Sequence, residues 1–455
     1  MKSSLVAPIV APFPDTWDWS ALGVVRKTLS NGLRVILAEN HTVPLAFLSW
    51  TAQAGFESDP AGLEGLASLT PLLLREGTAH RSGRRITREL DDMGAYLLAG
   101  ADWDSAFINM GLLSCDLAQG AELLLDLARA ATFPDAAVAR VRQRRLTELE
   151  RRRRDPRTLA NEEFARALFG ASVYGRSPLG TPATVSRIDA AHVAAFHNLH
   201  YRPANSYVVV AGKFDSAMAT DLLESFELPP SRPVSPLPVL SFVPAGEACA
   251  GVRLVNVPRA KQTEIRVGHA GVARDSEHLP GLEVLSAILG GGPASRLARS
   301  VRQAAGLTYH IRSRFMARRR GGTFVVETSV PSEATGTALA AIRREIERLR
   351  DELVPAADVE QTKRALFGAE LRRFEELIGT GAALGPEALH GDPVHHLERR
   401  RQAIAAVEQQ GLRELARRYL NPERLVEVVV GPADTLNTIL ERGTRCRHVP
   451  LESTS

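Results

Sequence analysis

Apolar positions at 62–78, "GLEGLASLTPLLLREGT", recur at three- and four-residue steps through Leu63, Leu66, Leu69, Leu73 and Leu74, which predicts a helix with one buried face. The pair Gly77-Thr78 stops it. Pro71 lies inside this run, where a missing N–H and a ring pressed on the preceding turn cost about 3 kcal/mol in an ordinary helix interior. Upstream, "GLRVILAEN" and "LAFLSWTAQAG" are apolar runs of strand length bounded by turn residues, and "VRLVNV" with "TEIRVGHAG" repeats that pair in the second half. Further strands are predicted in "DSAFINMGLL" and "GTFVVETSV", and long helices around 134–170 and 332–351.

The pattern repeats at one fixed offset. "GLRVIL" at 32–37 matches "GVRLVN" at 251–256, "GLEGLASL" at 62–69 matches "GLEVLSAI" at 281–288, and "PANSYVVVAG" at 203–212 matches "PERLVEVVVG" at 422–431; each pair lies 219 positions apart. A constant offset across three matches marks a tandem duplication. Strands and helices mix without strict β-α-β alternation, so the expected fold is α+β, with two homologous domains, each a mixed sheet covered by helices on one face. The expected boundaries are 1–229, a proline-rich linker at 230–250, and 251–455.

Composition narrows the class. The 455 residues, 44% hydrophobic and 24% charged, suit a folded protein of two to three domains. The first residues, "MKSSLVAPIVAPFPDTWDW", are broken by Pro8, Pro12 and Pro14, and no run approaches the roughly 20 apolar residues of a membrane helix, so a cytoplasmic protein without membrane contact is expected. Cys115, Cys249 and Cys446 lie far apart and suggest neither a disulfide framework nor a cysteine zinc site. A net charge of +4 spread over many helices gives no nucleic-acid footprint, and "RRRR" at 151–154 reads as a solvated helix end. "GGGPAS" at 290–295 lacks the lysine of a phosphate loop. His192, His197 and His200 in "HVAAFHNLHY" have no acidic or cysteine partner beside them and read as packing or surface residues, as do the histidines of "HGDPVHHLERR".

With "TLSNGLRVIL", "GRSPLGTPATVSRI", "YRPANSYVVVAG", "GGGPASRL" and "GLTYHIRSRF" in view, the chain resembles the M16 (insulinase-like) zinc peptidases, in particular the M16B branch that includes mitochondrial processing peptidase. Active members carry G-L-A-H-x-x-E-H-x-x-x-x-G-T on the first helix. Matching Gly65-Leu66-Ala67 and Gly77-Thr78 to it puts the two histidines on Ser68 and Leu72 and the catalytic glutamate on Pro71. The third family ligand falls on Glu148 in "RRLTELERR", and a single carboxylate does not make a zinc site. The resemblance also implies a substrate-binding pair, Arg296 in "SRL" and Tyr309 in "GLTY", both intact and both donors able to hold a peptide carbonyl. It implies a clam-shell, non-catalytic subunit with no cofactor of its own. A partner chain carrying H-x-x-E-H would supply Zn2+ and general base, and the substrate would be a peptide. Two other readings stay open: a scaffold like the core subunits of the respiratory bc1 complex, and a peptide-binding homodimer.

Overall fold

In the computed structural model, which describes residues 23–226, 251–391, 393–440 and 446–449, the apolar runs become the interior strands of two six-stranded sheets. The linker expected at 230–250 lies outside the described residues. The first sheet contains β1 (Val24–Thr28), β2 (Arg34–Glu39), β3 (Leu45–Ala52), β4 (Tyr96–Ala101), β5 (Ala106–Leu113) and β6 (Ser206–Gly212), in the order β1-β2-β6-β3-β5-β4. β6 runs parallel to β2 and antiparallel to β3. All seven of its residues are buried, as a central strand covered on both faces must be.

The second sheet contains β7 (Gly251–Asn256), β8 (Gln262–Gly271), β9 (Ile311–Arg318), β10 (Gly321–Pro331), β11 (Val426–Gly431) and β12 (Cys446–Val449), in the order β12-β7-β11-β8-β10-β9. From β7 to β9 this repeats β2-β6-β3-β5-β4 strand for strand, with β7 and β11 parallel like β2 and β6. The duplication read from the 219-residue offset is therefore a duplication of topology. Only the edge differs: β1 enters antiparallel from the chain's beginning, whereas β12 enters parallel from its end.

Each sheet has a helical layer. In the first unit, Val35, Leu37, Leu48, Trp50, Val208 and Val210 point into a core shared with α1 (Leu66–Leu73), α2 (Gly83–Asp92), α3 (Leu117–Arg129), α4 (Asp135–Arg152) and the helix Ala190–His200. In the second, Val252, Leu254, Ile265 and Val429 meet Leu282, Leu285, Ile342 and Ile346.

The expectation of helices on one face only needs correction for the first sheet. Ile36, Ala38, Phe47, Val209 and Ala211, at the alternate strand positions, pack under Leu384 and Ala388 of the helix Leu377–Ala388. Gly381 and Gly385 allow the approach, since a Cβ would stand 2.0 Å from Phe47 Cδ1 and 2.4 Å from Thr51 Oγ1 respectively. Residues Arg372–Leu397, although in the second half of the chain, thus belong to the first compact unit.

The long helix expected around 134–170 is two helices, Asp135–Arg152 and Pro156–Phe169. Asp155 caps the second through Thr158 N at 3.0 Å, and Pro156 takes its first position, where no N–H is needed. "RRRR" does sit at a helix end, with Arg152 and Arg153 beside Glu148 and Glu150. Among the described residues no helix is long and apolar enough to cross a membrane.

Candidate functional site

The helix that poses the question at Pro71 is short and capped from outside. α1 starts at Gly65, whose φ of +101° suits glycine and whose missing side chain offers no cap. Asp59 supplies one: Oδ2 accepts from Gly65 N at 2.8 Å and Oδ1 from Ala67 N at 2.6 Å, a carboxylate on the positive end of the helix. Pro71 is tolerated because α1 ends two residues later and tightens into a 3-10 turn at Leu74–Glu76, with Leu74 N bonded to Pro71 O. Ser68 and Thr70 turn their hydroxyls back onto Gly65 O and Leu66 O, at 2.9 Å each.

Burial pushes the Asp59 carboxyl up to about 7, against the pull of its two backbone N–H partners. Between its ordinary value of 3.8 and about 7, the folded chain keeps a proton that the unfolded chain releases, so stability is greatest below that window and falls as pH rises through it. Because solvent still reaches part of Asp59, the expected fall is about 1–2 kcal/mol. Urea denaturation at pH 4.5 and 7.5 measures it. Asp59→Asn should flatten that dependence, and an unchanged slope in the variant assigns the titration elsewhere.

Around the three degenerate positions the structure places a residue that sequence reasoning missed. Arg145 of α4 is buried, and its Nη1 donates to Ser68 Oγ at 2.7 Å while its Nε lies 3.2 Å from Glu148 Oε2. Desolvation lowers its pKa from the usual arginine value, and Glu148 opposes that. One guanidinium therefore joins Ser68 and Glu148, the two positions that the resemblance assigns to the first and third metal ligands. The residues present do not fit Zn2+, since a hydroxyl and an isobutyl group stand where the resemblance expects the two imidazoles, a proline ring stands where it expects the general base, and a fixed cation bridges the remaining oxygens. A signal existed in the sequence: Arg145 lies on the stripe Val138, Val141, Leu149, an arginine at a position where α4 is otherwise apolar and buried.

Beyond Pro71 a cleft of about 980 Å3 opens, bounded by the end of α1, by α2, by α4 and by β4. Leu72, half-buried, forms part of its wall with Leu97, Leu98 and Ala99 of β4. β4 is the last strand of its sheet and pairs only with β5, so one row of its backbone N–H and C=O groups has no strand partner among the described residues.

Arg296 and Tyr309 lie in the second unit. Arg296 stands between Ser295, whose hydroxyl donates to Gly292 O at 2.6 Å, and the π-helical turn Ala298–Ala304. It is buried, its Nη1 has no hydrogen-bond partner among the described residues, and burial followed by repulsion from Arg348 lowers its pKa, offset by Glu345, Glu352 and Asp358. Tyr309 is 93% exposed. No hydrogen bond joins the two; what they share is donor capacity left unused, one group inside and one in solvent.

His197 and His200 are buried, His197 between the rings of Phe133 and Tyr201 at 5.2 and 4.8 Å, His200 against Phe196 at 4.5 Å. Desolvation pushes both down to about 4, so they are neutral aromatic packing. His192 closes its helix's first turn against Asp189. His390 lies 3.8 Å from Asp104, and His396 3.6 Å from Glu387. Among the described residues no group of three or more His, Cys, Asp or Glu side chains is arranged to hold a metal.

Comparison with known proteins agrees with this organisation. Residues 34–181 match the family described as "Insulinase (Peptidase family M16)", and residues 187–366 match "Peptidase M16 inactive domain". An uncharacterized zinc protease of Streptomyces coelicolor is 25% identical over 90% of both chains, and one of Mycobacterium leprae 27% identical over 92% of this chain and 94% of its own. A Pseudomonas fluorescens peptidase M16 inactive domain superposes with a TM-score of 0.81 at 23% identity, covering 90% of this chain and 98% of its own. A chain of Complex III2 from Candida albicans gives 0.75 at 17% identity, covering 91% and 97%. A duplicated sheet of this strand order and two family profiles that together match most of the chain lead to one conclusion: the chain belongs to the M16 (insulinase) peptidase family.

Proposed function

We propose that this chain is a non-catalytic, peptide-binding M16 subunit that works beside a second chain carrying H-x-x-E-H. The observation that carries this reading is Arg145, whose guanidinium ties Ser68 to Glu148 where an active member would hold its metal. With that position committed to a buried cation, hydrolysis needs Zn2+ and a general base from elsewhere. The free edge of β4 suits an unfolded peptide added as a strand, because main-chain hydrogen bonds hold it with little demand on sequence. Arg296 and Tyr309 serve as donors to the peptide carbonyl. The unpartnered Nη1 of Arg296 favours a role toward a ligand over one in packing.

The scaffold reading rests on likeness of fold to a chain of Complex III2. Size-exclusion chromatography of the chain alone and with an H-x-x-E-H partner separates homodimer, heterodimer and monomer. The purified chain alone is expected to hydrolyse no peptide, and the complex to do so in a zinc-dependent way. Arg296→Ala and Tyr309→Ala are each expected to lower kcat/KM of the complex by roughly 100-fold, the scale of losing one donor to a developing oxyanion. Unchanged kcat/KM in both variants would remove the pair from the proposal, and a complex without peptidase activity would favour the scaffold.

A further inference from the structure

We infer that the cleft beside β4 selects extended peptide segments rich in carboxylates. This rests on the peptide-binding reading above and adds to it the charge of the ligand. The cleft walls carry four guanidinium groups and one carboxylate: Arg75 from the turn after α1, Arg84 from α2, Arg140 and Arg144 from α4, and Glu76. Glu76 is committed to Arg140. Among the described residues Arg75, Arg84 and Arg144 form no ion pair and no side-chain hydrogen bond, so three cations from three separate elements line one space with their donors unused there. Such an arrangement raises the local potential and favours a ligand whose carboxylates can take paired guanidinium N–H groups.

The shape narrows the ligand further. At about 980 Å3 the cleft lies at the upper end of the roughly 300–1,000 Å3 typical of small-molecule sites, so an elongated occupant fills it better than a compact anion. Its β4 wall is the six-residue edge strand, about 20 Å long, with Leu98 57% exposed between half-buried Leu97 and Ala99. Free backbone groups, an apolar strip and cations around them match a peptide that alternates apolar and acidic side chains. Among the described residues no aromatic ring lines the cleft to stack bases, which sets a peptide above single-stranded nucleic acid.

Fluorescence anisotropy on the full chain tests this with three labelled eight-residue peptides in which valine alternates with glutamate, glutamine or lysine. The glutamate peptide is expected to bind about tenfold tighter than its glutamine isostere, with the lysine peptide weakest and the difference shrinking as salt rises. The double variant Arg84→Glu/Arg144→Glu, whose positions are exposed and unpartnered, should reverse the order. Methylating alternate backbone nitrogens of the glutamate peptide should abolish binding. Equal affinity for the glutamate and glutamine peptides overturns the charge selection and leaves the peptide-binding reading standing. Failure of all three peptides to bind overturns both. Undiminished binding of the methylated peptide, or equally strong displacement by an oligonucleotide of the same charge, also overturns the inference.

Discussion

The triple substitution Ser68→His/Pro71→Glu/Leu72→His is expected to leave the chain without stoichiometric zinc for as long as Arg145 is in place. It restores both motif imidazoles and the general base, yet the Arg145 guanidinium, 2.7 Å from Ser68 Oγ and 3.2 Å from Glu148 Oε2, would stand beside the metal. At about 4 Å and an effective dielectric of about 20, a dication and a guanidinium repel by about 8 kcal/mol, equivalent to five to six orders of magnitude in affinity. Adding Arg145→Val removes that charge, keeps the position apolar like its neighbours Val141 and Leu149, and frees Glu148 as third ligand. The quadruple variant should take up one zinc per chain, measured by metal analysis after dialysis. If the triple variant binds zinc as tightly as the quadruple one, Arg145 does not decide the matter.

A second large effect is expected at Arg81, just past the Gly77-Thr78 pair. Its guanidinium reaches Asp126 at 2.9 Å, Glu89 at 2.8 Å and Glu122 at 2.7 Å, and Thr78 Oγ1 donates to the same Asp126 oxygen at 2.6 Å. Burial works against the charge, but the three carboxylates outweigh it and raise the arginine pKa. This network ties the turn after α1 to both α2 and α3. Arg81→Met should destabilise the chain by about 3–5 kcal/mol, because buried Asp126 then loses its guanidinium and is left with the Thr78 hydroxyl and the exposed His80 ring 3.9 Å away. Adding Asp126→Asn should recover part of the loss, since the uncompensated charge disappears while an acceptor for Thr78 remains. Urea denaturation gives both numbers, and a loss below about 1 kcal/mol for Arg81→Met would mean the network is not what holds these elements.

Much of this architecture is legible along the chain. The strand runs at β2, β3, β6, β7 and β11 stand out because interior strands are rich in apolar, β-branched residues, whereas β8, with Glu264, Arg266 and His269, shows only through its match to the first half. The duplication is legible because two copies of one topology keep similar residues at similar spacing. α1 shows its apolar steps, although its length does not follow from them: Pro71 and the following turn cut the predicted 62–78 to Leu66–Leu73. The break at 152–156 was written in Asp155-Pro156, a cap followed by a first-turn proline, inside a run whose periodicity alone suggested one helix.

What the sequence determined by itself is therefore local or internally repeated: two α+β units of one ancestry, and a first helix that carries Ser68, Pro71 and Leu72 and neither histidine nor glutamate between Leu66 and Leu73. Residue type and spacing suffice for these conclusions, because losing an imidazole or repeating a strand needs no knowledge of what lies nearby in space. Tertiary structure decided the rest. It brought Arg145 to Ser68 from 77 positions away, laid the helix Leu377–Ala388 on the first sheet through Gly381 and Gly385, and buried Arg296 while leaving Tyr309 in solvent. It gathered Arg75, Arg84 and Arg144 along the β4 edge. Each of these depends on which distant surfaces pack together, and a charge or a glycine takes its meaning only from the group that packing sets against it.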